Sequence, residues 1–168
     1  MFEDLEYTSL EDIPAQAHTW VSYDRSITEL TNTDVAVTNL RQEMQTSPAW
    51  LPPIYQDKND AFFRRIELVA GQNRVLIAAS YTQPHGDVRE RLQALGDLPL
   101  ANLLFQEGAV QKRDRMYVSA NTWYGRIVEW QILGCSAPLL LLELFDPEFT
   151  RAYSILQRNQ PQSWRITS

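Results

Sequence analysis

Leu139-Leu140-Leu141-Leu142-Glu143-Leu144-Phe145 is apolar on both faces of an extended chain. Leu139, Leu141 and Phe145 lie on one face, and Leu140, Leu142 and Leu144 on the other. A strand with one face in water alternates apolar with polar residues, so this stretch predicts a central strand covered on both sides. Glu143 breaks the pattern. A carboxylate among those leucines loses its water and must be paired, protonated or bound to something polar.

Working outward, three further segments alternate with period two. Phe62 to Val69 places Phe62, Arg64, Ile66 and Leu68 on one face, and Gly71-Gln72-Asn73 turns it back into Arg74 to Thr82 as a hairpin. Tyr124 to Ile132 places Tyr124, Arg126, Val128, Trp130 and Ile132 together. Val35 to Gln42 reads as another strand, and Arg113 to Ser119 as a further one. Helices fill the connections. Pro14 sits in the first turn of a short one, and Asp24 caps a second over Arg25 to Thr31. Asp87 and Glu90 form a capping box for Val88 to Leu95, which Gly96 stops. Asp97 caps Pro99 to Phe105, and Asp146-Pro147 opens a helix to about Gln157. Pro48, Pro52 and Pro53 make Gln45 to Asp60 a long loop, a possible lid. The order predicts an α+β fold: a single antiparallel sheet with helices inserted in its connections.

Composition narrows the function. The chain has 168 residues, 44% hydrophobic and 21% charged, enough for one folded domain. Its 15 Lys+Arg against 21 Asp+Glu give a net charge of -6, which argues against nucleic-acid and anionic-membrane partners. The single cysteine, Cys135, and two distant histidines, His18 and His85, predict no disulfide and no metal site. Cys135 reads as a packing residue, and neither histidine as a catalytic base. The acidic start MFEDLEYTSLEDIP carries no secretory pattern, and the longest apolar run is far short of a membrane span. The expectation is a cytoplasmic monomer with a 1–12 N-terminal extension, a 13–157 domain and a loose polar tail over 158–168.

The informative residues are charges at apolar positions. Arg64 shares a face with Ile66 and Leu68, and Arg126 with Val128 and Trp130. Guanidinium groups stay charged, so burial demands an anion. Each residue alone reads as a snorkelling strand end or a buried ion pair. Arg64, Arg126 and Glu143 facing one sheet surface instead predict a polar pocket in an apolar shell, suited to a small anion bearing a hydroxyl or ether oxygen.

The sequence also resembles the chorismate lyases. Leu95-Gly96-Asp97-Leu98-Pro99-Leu100-Ala101-Asn102-Leu103-Leu104-Phe105 resembles their LGxxPLGxxLF segment, and Pro138 to Pro147 their PLLLTELFLP segment. Trp20 to Thr28 resembles their Trp-x-x-x-acid-x-Ser-Met-Thr stretch. Phe62-Phe63-Arg64-Arg65-Ile66 and Tyr124-Gly125-Arg126 stand where that family has aromatic-x-Arg-x-Ile and Trp-Gly-Arg. The motifs keep the family order from about Ile13 to Pro147. The resemblance implies a cofactor-independent carbon–oxygen lyase that converts chorismate to 4-hydroxybenzoate and pyruvate, a step toward a quinone ring. It implies that Arg64 and the Leu100 amide hold the ring carboxylate, that Glu143 meets the 4-position oxygen, and that Ile27 touches the ligand through its main chain. Arg126 is a further anionic contact. One family arginine is replaced here by Ser80, for which Arg74 or Arg126 could substitute. The same fold serves regulators as an effector-sensing domain, so a non-catalytic binder of small aromatic acids is the alternative. A purely structural role for an Arg64–Glu143 pair is the third reading, and Arg113-Asp114-Arg115 reads as a solvated strand.

Overall fold

A computed structural model of the chain describes residues 2–23, 27, 31, 34–48, 51, 60–106 and 108–158. Among them are eight strands: β1 (Glu6–Thr8), β2 (Val35–Gln45), β3 (Ala61–Ala70), β4 (Asn73–Thr82), β5 (Ala109–Gln111), β6 (Met116–Ala120), β7 (Trp123–Ile132) and β8 (Pro138–Phe145). The helices are α1 (Ala15–Ser22), α2 (Asp87–Leu95), α3 (Ala101–Gln106) and α4 (Pro147–Arg158). Ile27 and Thr31 are also helical; the rest of the expected Arg25 to Thr31 helix, with Asp24, lies outside the described residues. So do most of the proline-rich loop and the tail beyond Arg158.

The strands form one sheet in the order β1-β6-β7-β8-β4-β3-β2, with β5 continuing the edge beside the second half of β7. Every described pairing is antiparallel. The α+β reading therefore stands, and β8 is the middle strand of seven. All eight of its residues are buried. The leucine run explains this, because both faces of β8 are covered. On one face α1, α2 and α3 contribute Trp20, Val21, Val88, Leu92, Leu103 and Leu104 to a core with Leu139, Leu141 and Phe145. On the other, Leu140, Leu142 and Leu144 pack with Phe63, Tyr81, Ile127 and Leu51, and Phe2 and Leu5 lie against them.

Several boundaries differ from the sequence expectation. β2 runs to Gln45 rather than Gln42, with a bulge between Thr38 and Arg41 where Asn39 takes a φ of 51°. β6 starts at Met116 rather than Arg113. The helix expected over Pro99 to Phe105 is Ala101–Gln106, the Pro99 carbonyl accepting the Asn102 amide at 3.0 Å. Asp87 and Glu90 form no capping box. Gly86 is the N-cap residue of α2, and the Asp87 carboxylate instead accepts the Ser136 amide at 2.9 Å, tying α2 to the turn before β8. The 1–12 segment contains β1, which pairs with β6 at the sheet edge. Two elements escaped the pattern: β1 and β5 are three residues long, too short for alternation to register. No described helix is long and apolar enough to cross a membrane.

Gly125 is required by packing. A Cβ there would fall 2.0 Å from the Glu143 carbonyl oxygen, so β7 and β8 approach closely only because residue 125 has no side chain.

Candidate functional site

Between the helix-covered face of the sheet and the α2–α3 connection lies a cavity with about 690 Å³ of atom-free space, its open mouth included. Arg64, Leu100, Ile27, Glu143 and Arg126 all line it, together with Ser80 and an apolar wall that includes Ile66, Leu76, Val128 and Leu141.

The register explains the gathering. Arg64 on β3 lies opposite Ser80 on β4, which lies opposite Leu141 on β8, so the three form one row. The next row runs Ile66, Ala78, Glu143, Arg126. Alternation then turns all of these side chains to the same face.

Arg64 is 1% exposed. Its guanidinium donates to the Gly96 carbonyl at 3.1 Å and the Leu98 carbonyl at 2.8 Å, both in the turn that follows α2. Gly96 makes that turn with a φ of 60°. The Nε–H of Arg64 is buried and has no partner among the described residues. Burial pulls the guanidinium down to about 10, still charged at neutral pH. No carboxylate of the described residues pairs with it, so the structural reading of an Arg64–Glu143 pair is corrected.

Glu143 is paired with Arg126 instead. Arg126 Nε donates to Glu143 Oε1 at 2.8 Å from directly across the β7–β8 ladder. The other arm of Arg126 donates to the Tyr23 carbonyl and, at 3.5 Å, to the Trp20 carbonyl, both at the C-terminal end of α1. Cations suit that end of a helix, where carbonyls lack intrahelical partners. Ile27 is 5% exposed and covers the cavity from the chain that follows α1. Leu100 opens the first turn of α3, its carbonyl accepting the Leu103 and Leu104 amides.

Two lining residues were missed in the sequence. Arg115 is not on a solvated strand; it lies in the connection before β6, lines the cavity and donates to the Val21 carbonyl at 2.8 Å. Its neighbour Arg113 pairs with Glu129, a buried carboxylate on the opposite sheet face, at 2.9 Å. Tyr23 also lines the cavity, with a buried hydroxyl that has no partner among the described residues. A loop arginine and a tyrosine beyond a helix end carry no periodic signal. Arg74, considered as a substitute cation, sits elsewhere, bonded to Asp146 and Glu67 at 3.0 Å each and outside the cavity lining. His18 is turned to the Ile13 carbonyl at 2.6 Å, and Cys135 is buried in the turn before β8. No cluster of three or more metal-ligating side chains occurs among the described residues.

Fold and site together define an α+β protein whose single antiparallel sheet carries an arginine-rich cavity on its helix-covered face. No protein-family model and no curated protein matches the chain.

Proposed function

We propose that the chain is a chorismate lyase, releasing 4-hydroxybenzoate and pyruvate without a cofactor. One observation carries the reading: a fully buried arginine, Arg64, faces a cavity with no carboxylate partner among the described residues and an unanswered Nε–H. A buried guanidinium calls for an anion, and the Leu100 end of α3 lies beside it in the same lining. In this reading Arg64 and the Leu100 amide receive the ring carboxylate, Glu143 faces the 4-position oxygen, Ile27 closes over the ligand, and Arg126 orients Glu143. The motif resemblance supplies the substrate.

The chemistry asks little beyond orientation and exclusion of water, since aromatisation drives it. The ether C–O bond breaks, the ring loses the proton on the carbon bearing the hydroxyl, and the enolpyruvyl fragment gains one to become pyruvate. Glu143 is the described carboxylate in the cavity that can carry that proton. In this reading the protein works as a cytoplasmic monomer supplying a quinone-ring precursor.

Purified protein mixed with chorismate, with pyruvate and 4-hydroxybenzoate followed together, tests this. Equal release of both above an enzyme-free blank is expected, with loss of turnover in Glu143→Gln and an unchanged circular dichroism spectrum. Full turnover in that variant overturns the mechanism. The second reading, a non-catalytic binder of aromatic acids, is favoured by Ser80, which puts a neutral hydroxyl beside Arg64. It predicts that 4-hydroxybenzoate raises Tm while chorismate stays intact beyond the blank.

A further inference from the structure

We infer that the outer edge of β2 pairs antiparallel with the same edge of a second copy of this chain, with the two-fold axis at Gln42. The inference goes beyond the lyase reading and does not rest on it. One chain lines the cavity and remains the working unit, and the pairing is a reversible association. It starts from an edge. No described strand pairs with the outer side of β2, which runs for 11 residues. At the opposite margin of the sheet, β1 and β5 have three residues each. An open edge offers backbone donors and acceptors to another strand, and short strands or bulges are the usual protection. The bulge between Thr38 and Arg41 blunts only the first half of β2. In the second half Leu40 and Met44 are 39% and 37% exposed. Alternation puts both on one face, with Gln42 between them.

Charge selects a second copy as the occupant. A two-fold axis normal to the sheet keeps the faces aligned, so residues opposed across it are an even number of positions apart. An axis at Arg41 sets arginine against arginine, and an axis at Glu43 sets carboxylate against carboxylate, both destabilising. An axis at Gln42 sets Arg41 against Glu43 of the second copy, twice over, and Leu40 against Met44. Arg41 already bonds its own Glu43 at 2.8 Å, with 61% of its side chain still exposed. Its cross-strand partner on β3 is Arg65, a like charge that a facing carboxylate offsets. The edge is therefore complementary to itself in one register, in both charge and apolar surface.

Sedimentation equilibrium reads this out. The mass is expected to rise from one chain to two with concentration, with a Kd of roughly 10–500 μM, in keeping with a small interface. Arg41→Glu alone and Glu43→Arg alone set like charges opposite each other, and each stays a single chain. Their equimolar mixture pairs again, because every glutamate of one variant then meets an arginine of the other. Cross-linking by oxidised glutathione in a Cys135→Ser background reads the register. Gln42→Cys links to itself, whereas Arg41→Cys, displaced from its own copy across the axis, does not. A mass that stays at one chain up to about 1 mM overturns the inference. So does a dimer indifferent to both charge reversals, or Arg41→Cys linking to itself as readily as Gln42→Cys. The cross-linking pattern decides the matter even where a charge reversal unfolds the chain.

Discussion

Arg126 and Glu143 face each other across β7 and β8, 2.8 Å apart, with side chains only 6% and 12% exposed. The pair joins three elements, because Arg126 also holds the last carbonyls of α1. Two buried charges repay their lost hydration only together. Arg126→Met therefore costs about 3–5 kcal/mol, as does Glu143→Leu, while the double variant regains a large part of the combined loss. Urea unfolding of the four proteins measures the coupling; strict additivity would show that the pair contributes nothing as a pair.

Gly125, next to Arg126, sets how closely β7 approaches β8. Gly125→Ala forces its Cβ against the Glu143 carbonyl and Leu144, and the strands must part. The expected loss is about 3 kcal/mol, or roughly 6–12 °C in Tm. Gly71→Asn is the control: its φ of 63° suits asparagine and nothing lies within 4 Å, so its melting curve should stay close to wild type.

Ligand binding should follow the charge of Arg64. Its guanidinium titrates near 10 because burial disfavours the charged form. The charged form attracts the carboxylate, so benzoate affinity is full well below pH 10 and lost as pH rises through it, by up to about tenfold per unit. Benzoate has no phenol to titrate and stays ionised throughout, which makes it the probe for a fluorescence titration. An affinity that stays level beyond pH 10 and is unchanged in Arg64→Gln would remove Arg64 from the site.

Asp87 ties α2 to the turn before β8. The Ser136 amide above all, and then the Val88 amide, hold its carboxyl below the ordinary value of 3.8. The folded state thus favours the ionised form, so the stabilisation is complete above the ordinary carboxylate range and disappears as pH falls through the lowered value. Asp87→Asn should be less stable than wild type at neutral pH, with the gap closing in acid. Parallel denaturant series from neutral to strongly acidic pH check this.

Much of the sheet was legible because alternation is local. β3, β4, β7 and β8 each span eight residues or more, and their apolar faces repeat often enough to be read. Arg64, Arg126 and Glu143 stood out for the same reason, as charges at positions the pattern assigns to the core. Local rules misled at Asp87, where spacing implied a capping box but a loop amide distant in sequence offered the better donor.

The sequence by itself determined an α+β chain with a doubly covered central strand and three charges on its helix-facing side. It could not determine which charge meets which, since that depends on strand register, a property of two segments rather than one. Register put Glu143 opposite Arg126 and left Arg64 facing the cavity. Tertiary structure alone brought Arg115 and Tyr23 to the same wall, because loops and helix ends are placed by the elements they join and carry no periodicity of their own.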